Sequence, residues 1–404
     1  MARGGTFMTN RKPKILVFPA WYPSREKPVF GVFVRELAKA SATIADVVVL
    51  CNRGCGPTHG KLWTLEEERD TEITQGIPTY NFYTRHTWPV TRATSLWASI
   101  KACRHVASTT FRPDIIHAHV FEAGFEAVVA GWTMGVPVVI TEHFSAFLRK
   151  GLGRFDRWMA RFAFERARMV MPVSRPLQEA IEQLGIRANF RIVPNTVDTE
   201  LFHPGASPRP QRAVKQLITI CGLDASDKKG ISHLLRGLAS LKKIRQDWHW
   251  NLVGDGPARA RYEDLVGQLG LGAEVTFHGM KLKSQVADML RDTDIFVLAS
   301  LFETFSLTTA EALASGVPVV VTRCGGPEHF VTAADGILVP PGDSEALATG
   351  LDQMLREHRK YSPADLAARL RDRFGFAAVA NQLDQVYREV LANYGPKSNA
   401  PQTA

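Results

Sequence analysis

Two glutamates eight positions apart, Glu303 and Glu311, sit in the string LFETFSLTTAEALASGVP at residues 301–318. Residues 294–299 read as a strand and 308–315 as a helix, with 305–309 turning from one into the other. Glu303 then lies just past a strand end, and Glu311 in the first turns of the next helix. A helix N-terminus offers unpaired N–H groups and the positive end of its dipole, which suits a phosphate. A carboxylate beside it accepts hydrogen bonds from sugar or ribose hydroxyls. Other spacings carry less. Asp292-Thr-Asp294 is a D-x-D, a pair able to hold a divalent cation on a diphosphate, but here it caps one helix and opens a strand. His117-x-His119 has no third ligand at recognisable spacing. Cys51 and Cys55 have no partner Cys/His pair, and Gly254-x-Gly256 lacks the rest of a dinucleotide fingerprint. Neither a metal nor NAD is inferred.

Positioning these residues takes two similar halves. In the first, residues 14–18, 46–50, 114–118, 136–141 and 169–173 are near-continuous Val/Ile runs, as in strands buried on both faces of a parallel sheet. Helical patterns at 32–40, 97–108, 123–134, 155–166 and 176–184 lie between them. Prolines 194, 204, 208 and 210 then mark a linker. Beyond it, strands at 216–221, 248–253, 274–277, 294–299, 317–321 and 337–339 alternate with helices at 231–244, 258–269, 284–291, 308–315 and 344–357. The expected class is α/β, with two facing doubly wound Rossmann-like domains. They span residues 1–193 and 211–376, joined by 194–210. A last helix at 377–394 is placed to cross back to the first domain, and 395–404 reads as a frayed tail. Open parallel sheets bind ligands at the carboxyl ends of their strands, so the ligand is expected in the cleft between the domains.

The 404 residues are 45% apolar and 22% charged, which excludes a wholly disordered chain. No apolar run approaches the ~20 residues of a membrane helix. Residues 1–14 are polar and basic, and the apolar run behind them is too short for a secretion signal. Five cysteines are a sparse, odd set that fits reduced thiols, and the expected location is cytoplasmic. The net charge of +9 is uneven: residues 1–194 hold 26 Lys+Arg against 16 Asp+Glu, and residues 195–404 hold 23 against 24. A basic half attracts an anionic partner. Its densest stretch is 149–168, where Phe155, Trp158, Met159 and Phe162 recur at helical spacing with arginines largely off that stripe. Such a helix either lies on an anionic membrane or packs its stripe on the sheet and solvates its arginines. No nucleic-acid module is recognisable, so nucleic acid is not an expected partner.

Other strings accompany Glu303-x7-Glu311 in order along residues 14–345. They are Trp21-Tyr-Pro-Ser with Gly31-Val-Phe-Val-Arg-Glu36, Asp114-Ile-Ile-His-Ala-His119 and Thr141-Glu-His143 in the first half. Val193-Pro-Asn-Thr-Val-Asp198, Lys228-Lys229-Gly230, Val253-Gly-Asp-Gly-Pro257, Phe277-His-Gly279 and Gly325-Gly-Pro-Glu328 follow. Together they resemble glycosyltransferase family 4, whose members are retaining GT-B-fold enzymes that use nucleotide-sugars and include capsule, exopolysaccharide and lipopolysaccharide types. The resemblance implies a role for each matching residue. Gly31 lets backbone approach the diphosphate or transferred sugar. His119 lies near sugar and acceptor, with His117 as the alternative on the same strand face, and His143 lines the acceptor side. Lys229, or adjacent Lys228, neutralises the leaving diphosphate, where negative charge develops. Glu303 holds the donor sugar, Glu311 the ribose hydroxyls, and the backbone amides of Phe305, Ser306 and Leu307 the phosphates. One departure stands out: the arginine the family carries in the turn before its lysine is missing from Cys221-Gly222-Leu223-Asp224.

The function so implied is a retaining hexosyltransferase of cell-surface polysaccharide biosynthesis. It would move sugar from a UDP- or GDP-linked donor to a glycan or polyprenyl-linked acceptor, without metal or further cofactor. It would work on the anionic inner face of a membrane. Two other readings are a GT-B sugar-nucleotide epimerase, which needs a base for the sugar ring and no acceptor, and a catalytically weak sugar-nucleotide-binding or scaffold protein, motivated by the missing arginine.

Overall fold

The computed structural model describes residues 11–56, 58, 60–85, 91–206 and 211–394. The segment read as a tail and the last linker residues, 207–210, lie outside them. The first half runs β1 (Lys14–Pro19), α1 (Val32–Ile44), β2 (Asp46–Cys55), β3 (Trp63–Glu67), α2 (Thr71–Thr74), β4 (Thr79–Thr84), α3 (Thr91–Thr109), β5 (Ile115–His119), α4 (Phe121–Met134), β6 (Val138–Glu142), α5 (Arg154–Arg166), β7 (Met169–Pro172) and α6 (Arg175–Glu182). The second half runs β8 (Lys215–Ile220), α7 (Ile231–Lys242), β9 (Trp248–Val253), α8 (Arg259–Gln268), β10 (Val275–Gly279), α9 (Lys283–Arg291), β11 (Ile295–Leu298), α10 (Leu307–Ala314), β12 (Val319–Thr322), β13 (Gly336–Val339), α11 (Ser344–Glu357), α12 (Pro363–Phe374) and α13 (Phe376–Ala392).

Two doubly wound sheets result, in the orders β3-β4-β2-β1-β5-β6-β7 and β10-β9-β8-β11-β12-β13. Every pairing is parallel except β3 with β4. The Val/Ile strands sit at sheet centre, as their composition requires. The sequence reading does not contain β3, β4, α2 or α12. β3, WTLEE, is a half-exposed antiparallel edge, and β4, TYNFYT, mixes aromatic and polar residues. Neither has the continuous apolar run that marks the central strands. α12 buries only Leu366, Leu370 and Phe374 on an otherwise charged helix.

Strand order reverses around β1 and around β8, so each sheet has a switch point there. The carboxyl edges of the two sheets face each other. Gly325, after β12, packs against Leu148, after β6, and near Pro176, after β7. Lys283, after β10, pairs at 3.3 Å with Glu36 of α1. One hydrophobic cluster runs through both halves, from Phe121 and Phe147 to Phe305, Phe330 and Phe374.

The chain crosses between halves twice, at residues 193–202 and 374–376, and the two crossings are fastened together. Val197 N–H and the Thr196 hydroxyl both donate to the Phe374 carbonyl, at 2.8 and 2.9 Å. Beyond the return crossing, α13 packs on α1 and buries Val379, Leu383, Val386, Tyr387 and Val390 against the first sheet. The Tyr387 hydroxyl lies 2.8 Å from His117 Nδ1 and 3.1 Å from Ser41 Oγ, all buried. Tyr387→Phe would strand those two polar atoms away from water. It should lower stability by about 1–3 kcal/mol in urea unfolding followed by circular dichroism. An unchanged midpoint would show that α13 is not held through this bond.

Candidate functional site

The second domain builds its site from turns pressed together at the switch point. Gly230 begins α7 with φ +64°, and a Cβ there would lie 2.0 Å from the Ala299 carbonyl oxygen. Leu301 N–H donates to the Lys228 carbonyl at 2.8 Å, so the turns after β8 and β11 are stitched side by side. A third turn joins them: Glu303 N–H donates to the Cys324 carbonyl, and Gly326 N–H to the Glu303 carbonyl. A Cβ on Gly326 would meet the Phe305 backbone at 2.5 Å.

This packing brings Lys229 Nζ to 2.6 Å from Glu303 Oε1, which also accepts from the Ser300 hydroxyl at 2.8 Å. Burial acts to lower the Lys229 pKa, but the charge and hydrogen bond of Glu303 outweigh it and raise the value. A fixed ammonium therefore stands against Glu303, three residues before the cap of α10. Lys228 points elsewhere and pairs with Asp224 at 2.9 Å. It sits in the very turn that lacks the arginine, so its charge is already matched there.

Helix α10 begins after Ser306, whose backbone is left-handed (φ 72°, ψ 77°) in a residue other than glycine. Strain of this kind is held only where surroundings over-determine it, and it clusters at functional sites. Within the described residues, no hydrogen bond has the N–H of Phe305, Ser306 or Leu307 as donor. One turn on, Glu311 is 6% exposed. Burial pushes its carboxyl up to about 7, with Glu36 and Asp198 adding to the rise and Lys283 opposing it.

The facing wall belongs to the first domain. Gly31 caps α1 with φ 73°, and a Cβ there would meet the Trp21 and Tyr22 backbone at 2.5–2.6 Å. His117, His119 and His143 stack in sequence, with centroids 4.3 and 5.4 Å apart. His117 is saturated by Tyr387 and by the Thr141 hydroxyl at 2.7 Å. His119 Nδ1 lies 3.1 Å from His143 Nε2, while its Nε2 is buried without a partner. Burial lowers all three pKa values, to about 3 for His117 and His143, so the stack is neutral. Val120, directly after His119, has φ 73°, a second strained non-glycine residue at the sheet edge. Glu142 fixes this edge by accepting the N–H groups of Phe121, His143 and Phe144 at 2.7–2.9 Å.

The fold thus joins Lys229 to Glu303 and His119 to His143. It leaves Lys228 apart from Glu303, and Glu311 in a different charge group with Glu36, Asp198 and Lys283. Ser300, Glu36 and Lys283 are additions to the sequence reading. Glu36 closes a quoted motif, but nothing in one sequence shows that it meets Lys283 some 250 residues later. Asp292 and Asp294 lie at the opposite, amino end of β11, where Asp292 pairs with Arg212 and Asp294 accepts from Gln216 N–H. Two substitutions test the turn packing. Gly230→Ala should destabilise by more than about 3 kcal/mol, since backbone must move. Gly222→Ala, with open space around its Cβ, should stay within about 0.5–1 kcal/mol. Equal thermal midpoints for the two variants would contradict the close crossing.

Residues 30–201 match the model described as Glycosyltransferase Family 4, and residues 208–373 the model described as Glycosyl transferases group 1. TuaC of Bacillus subtilis, named as a teichuronic acid biosynthesis glycosyltransferase, is 28% identical with 96% of each chain covered. A D-inositol 3-phosphate glycosyltransferase of Corynebacterium aurimucosum is 25% identical over 92% of this chain and 93% of its own. Among solved structures, Anabaena HepE in complex with UDP superposes with a TM-score of 0.74 at 20% identity, covering 93% of this chain and all of HepE. With both halves matched in order and the two sheets facing across a cleft, this chain is a GT-B glycosyltransferase of the family 4 and group 1 type.

Proposed function

We propose that the chain is a retaining hexosyltransferase that moves sugar from a UDP- or GDP-linked donor to a cell-surface glycan or polyprenyl-linked glycan at an anionic membrane surface. The observation that carries this is the fixed Lys229–Glu303 pair, with Glu303 three residues before Ser306 and the open amides that start α10 following in the same turn. The diphosphate lies against Phe305, Ser306 and Leu307, and Lys229 balances the charge that grows as it leaves. Glu303 holds the sugar hydroxyls, and Glu311 those of the ribose. The unpartnered Nε2 of neutral His119 supplies a hydrogen-bonding site for the sugar or acceptor from the other wall. The bond from anomeric carbon to diphosphate breaks, and the acceptor oxygen bonds that carbon on the same face. The acceptor proton passes to the leaving phosphate. UDP in HepE and the naming of TuaC support the donor and acceptor classes.

A second reading, a sugar-nucleotide-binding protein with weak transfer, is favoured by the absence of an arginine from Cys221-Gly222-Leu223-Asp224 and by Asp224 holding Lys228. Donor binding without transfer to any acceptor extract separates it from the first.

Thermal unfolding with EDTA present tests donor binding. A nucleotide-sugar at about one hundred times its dissociation constant should add about 2.7 kcal/mol to stability. Glu311→Ala should abolish a shift confined to UDP or GDP species. No shift with any nucleotide-sugar would remove the proposal.

Glu311 also sets a pH dependence. Ribose hydroxyls donate to the ionised carboxyl, so nucleotide affinity should rise as pH climbs through about 7. In the free protein the sign reverses: the raised pKa contributes stability that is complete below the ordinary carboxylate range and lost as pH rises through about 7. Glu311→Gln should flatten both profiles in titration calorimetry and thermal unfolding. Parallel profiles for variant and wild type would contradict the role.

A further inference from the structure

Helix α5 divides its apolar residues between two fates. Ala160, Ala163 and Phe164 are buried, and Met159 and Phe162 are half-buried against the core. Phe155 and Trp158 stay 46% and 52% exposed. They do not stand singly. Trp158 meets Phe155 and Phe125 of α4, each with centroids 5.6 Å apart. Phe162 joins Trp158 at 5.8 Å to Trp132 of α4 at 5.5 Å, and Trp132 is 58% exposed. One continuous aromatic surface crosses two adjacent helices, rooted in the core through Phe125 and Phe162. A contiguous exposed patch of this kind marks an interaction surface.

Its borders are basic. Arg92 of α3 lies 4.5 Å from the Phe155 ring centre, and Arg166 lies 4.3 Å from that of Phe162 and 5.9 Å from that of Trp132. Arg154 and Arg157 are exposed in the first turns of α5. The acids at this border are Glu122, Asp156 and Glu165, of which Glu165 pairs with Arg161 at 3.8 Å. The same half carries the protein's whole positive excess. A second copy docked by the same face would bring arginine border against arginine border, which disfavours a symmetric dimer. Amphipathic aromatic rings flanked by guanidinium groups instead match the boundary between anionic headgroups and acyl chains.

The place of the surface gives it a use. Helices α3, α4 and α5 follow β4, β5 and β6, so their first turns stand at the sheet edge that carries His119 and His143. Arg92 and Phe155 lie in such first turns, and one end of the aromatic surface therefore lies toward that edge.

We infer that the α4–α5 surface is a membrane-docking face, on which Trp132, Phe155 and Trp158 enter the headgroup boundary of an anionic bilayer and the surrounding arginines bind its headgroups. Docked in this way, the first-domain wall of the cleft is held next to the lipid plane. This inference rests on the reading of the acceptor as lipid-linked, but its test does not need a donor.

The full chain is sedimented with phosphatidylcholine vesicles, with and without phosphatidylglycerol, and its tryptophan fluorescence is followed with bromine-labelled lipid. Wild type should bind only the anionic vesicles, with quenching, and should weaken with added salt. Trp132→Ser with Trp158→Ser should weaken binding on the order of tenfold or more. Arg154→Glu with Arg166→Glu should weaken it by about fivefold or more per charge. Thermal midpoints in the same samples show that the variants fold, and an unchanged nucleotide shift shows that the donor site is intact. Wild type that ignores anionic vesicles, or variants that bind them as wild type does, would overturn the inference. So would a wild-type dimer that the tryptophan variant dissociates while vesicle binding stays the same. Vesicle binding without any nucleotide shift would instead count against the donor reading and leave the docking face standing.

Discussion

The second-domain wall of the candidate site depends on backbone segments lying closer than any side chain permits. Gly230 against Ala299 and Gly326 against Phe305 remove the Cβ atoms that would hold three turns apart. The hydrogen bonds Leu301 N–H to Lys228 and Glu303 N–H to Cys324 then lock them in register. Lys229 and Glu303 come from turns 74 residues apart, yet meet at 2.6 Å because of that lock. Ser306, just past these turns, takes a left-handed conformation at the start of α10. The placement of the Lys229–Glu303 charge pair at this edge follows from that steric condition.

The opposite wall rests on a different device. Three buried histidines are kept neutral by lack of water, and His117 has both ring nitrogens satisfied by side-chain hydroxyls. Its partner Tyr387 belongs to the last helix, so the far end of the chain braces the strand that carries His119. With the fastened crossings at residues 196–197 and 374, the return of α13 links the position of the first wall to the structure that follows the second domain.

Much of this was legible in the sequence, for identifiable reasons. The central strands announce themselves because burial on both faces demands unbroken Val/Ile runs, and the Glu303–Glu311 string because a strand end, a turn and a helix start follow within a few residues. β3 and β4 were not legible, since an edge pair needs neither pattern. Among the site residues, the sequence does not show that Tyr387, 270 residues later, meets His117, or that Asp224 pairs with Lys228 and leaves Lys229 to Glu303. Glu36 with Lys283 is a contact between domains, and no local periodicity encodes it. The aromatic stripe of α5 was legible as a stripe. Its continuation onto Trp132 of α4 belongs to the packing of two helices.

The central claim is that a nucleoside diphosphate binds at the start of α10 between Lys229 and Glu311. Electron density from crystals grown with UDP or GDP tests it most directly. The account predicts the diphosphate against the amides of Phe305, Ser306 and Leu307 and within reach of Lys229, with the ribose on Glu311. A diphosphate held instead by the arginines of the first half, with the α10 turn empty, would contradict it.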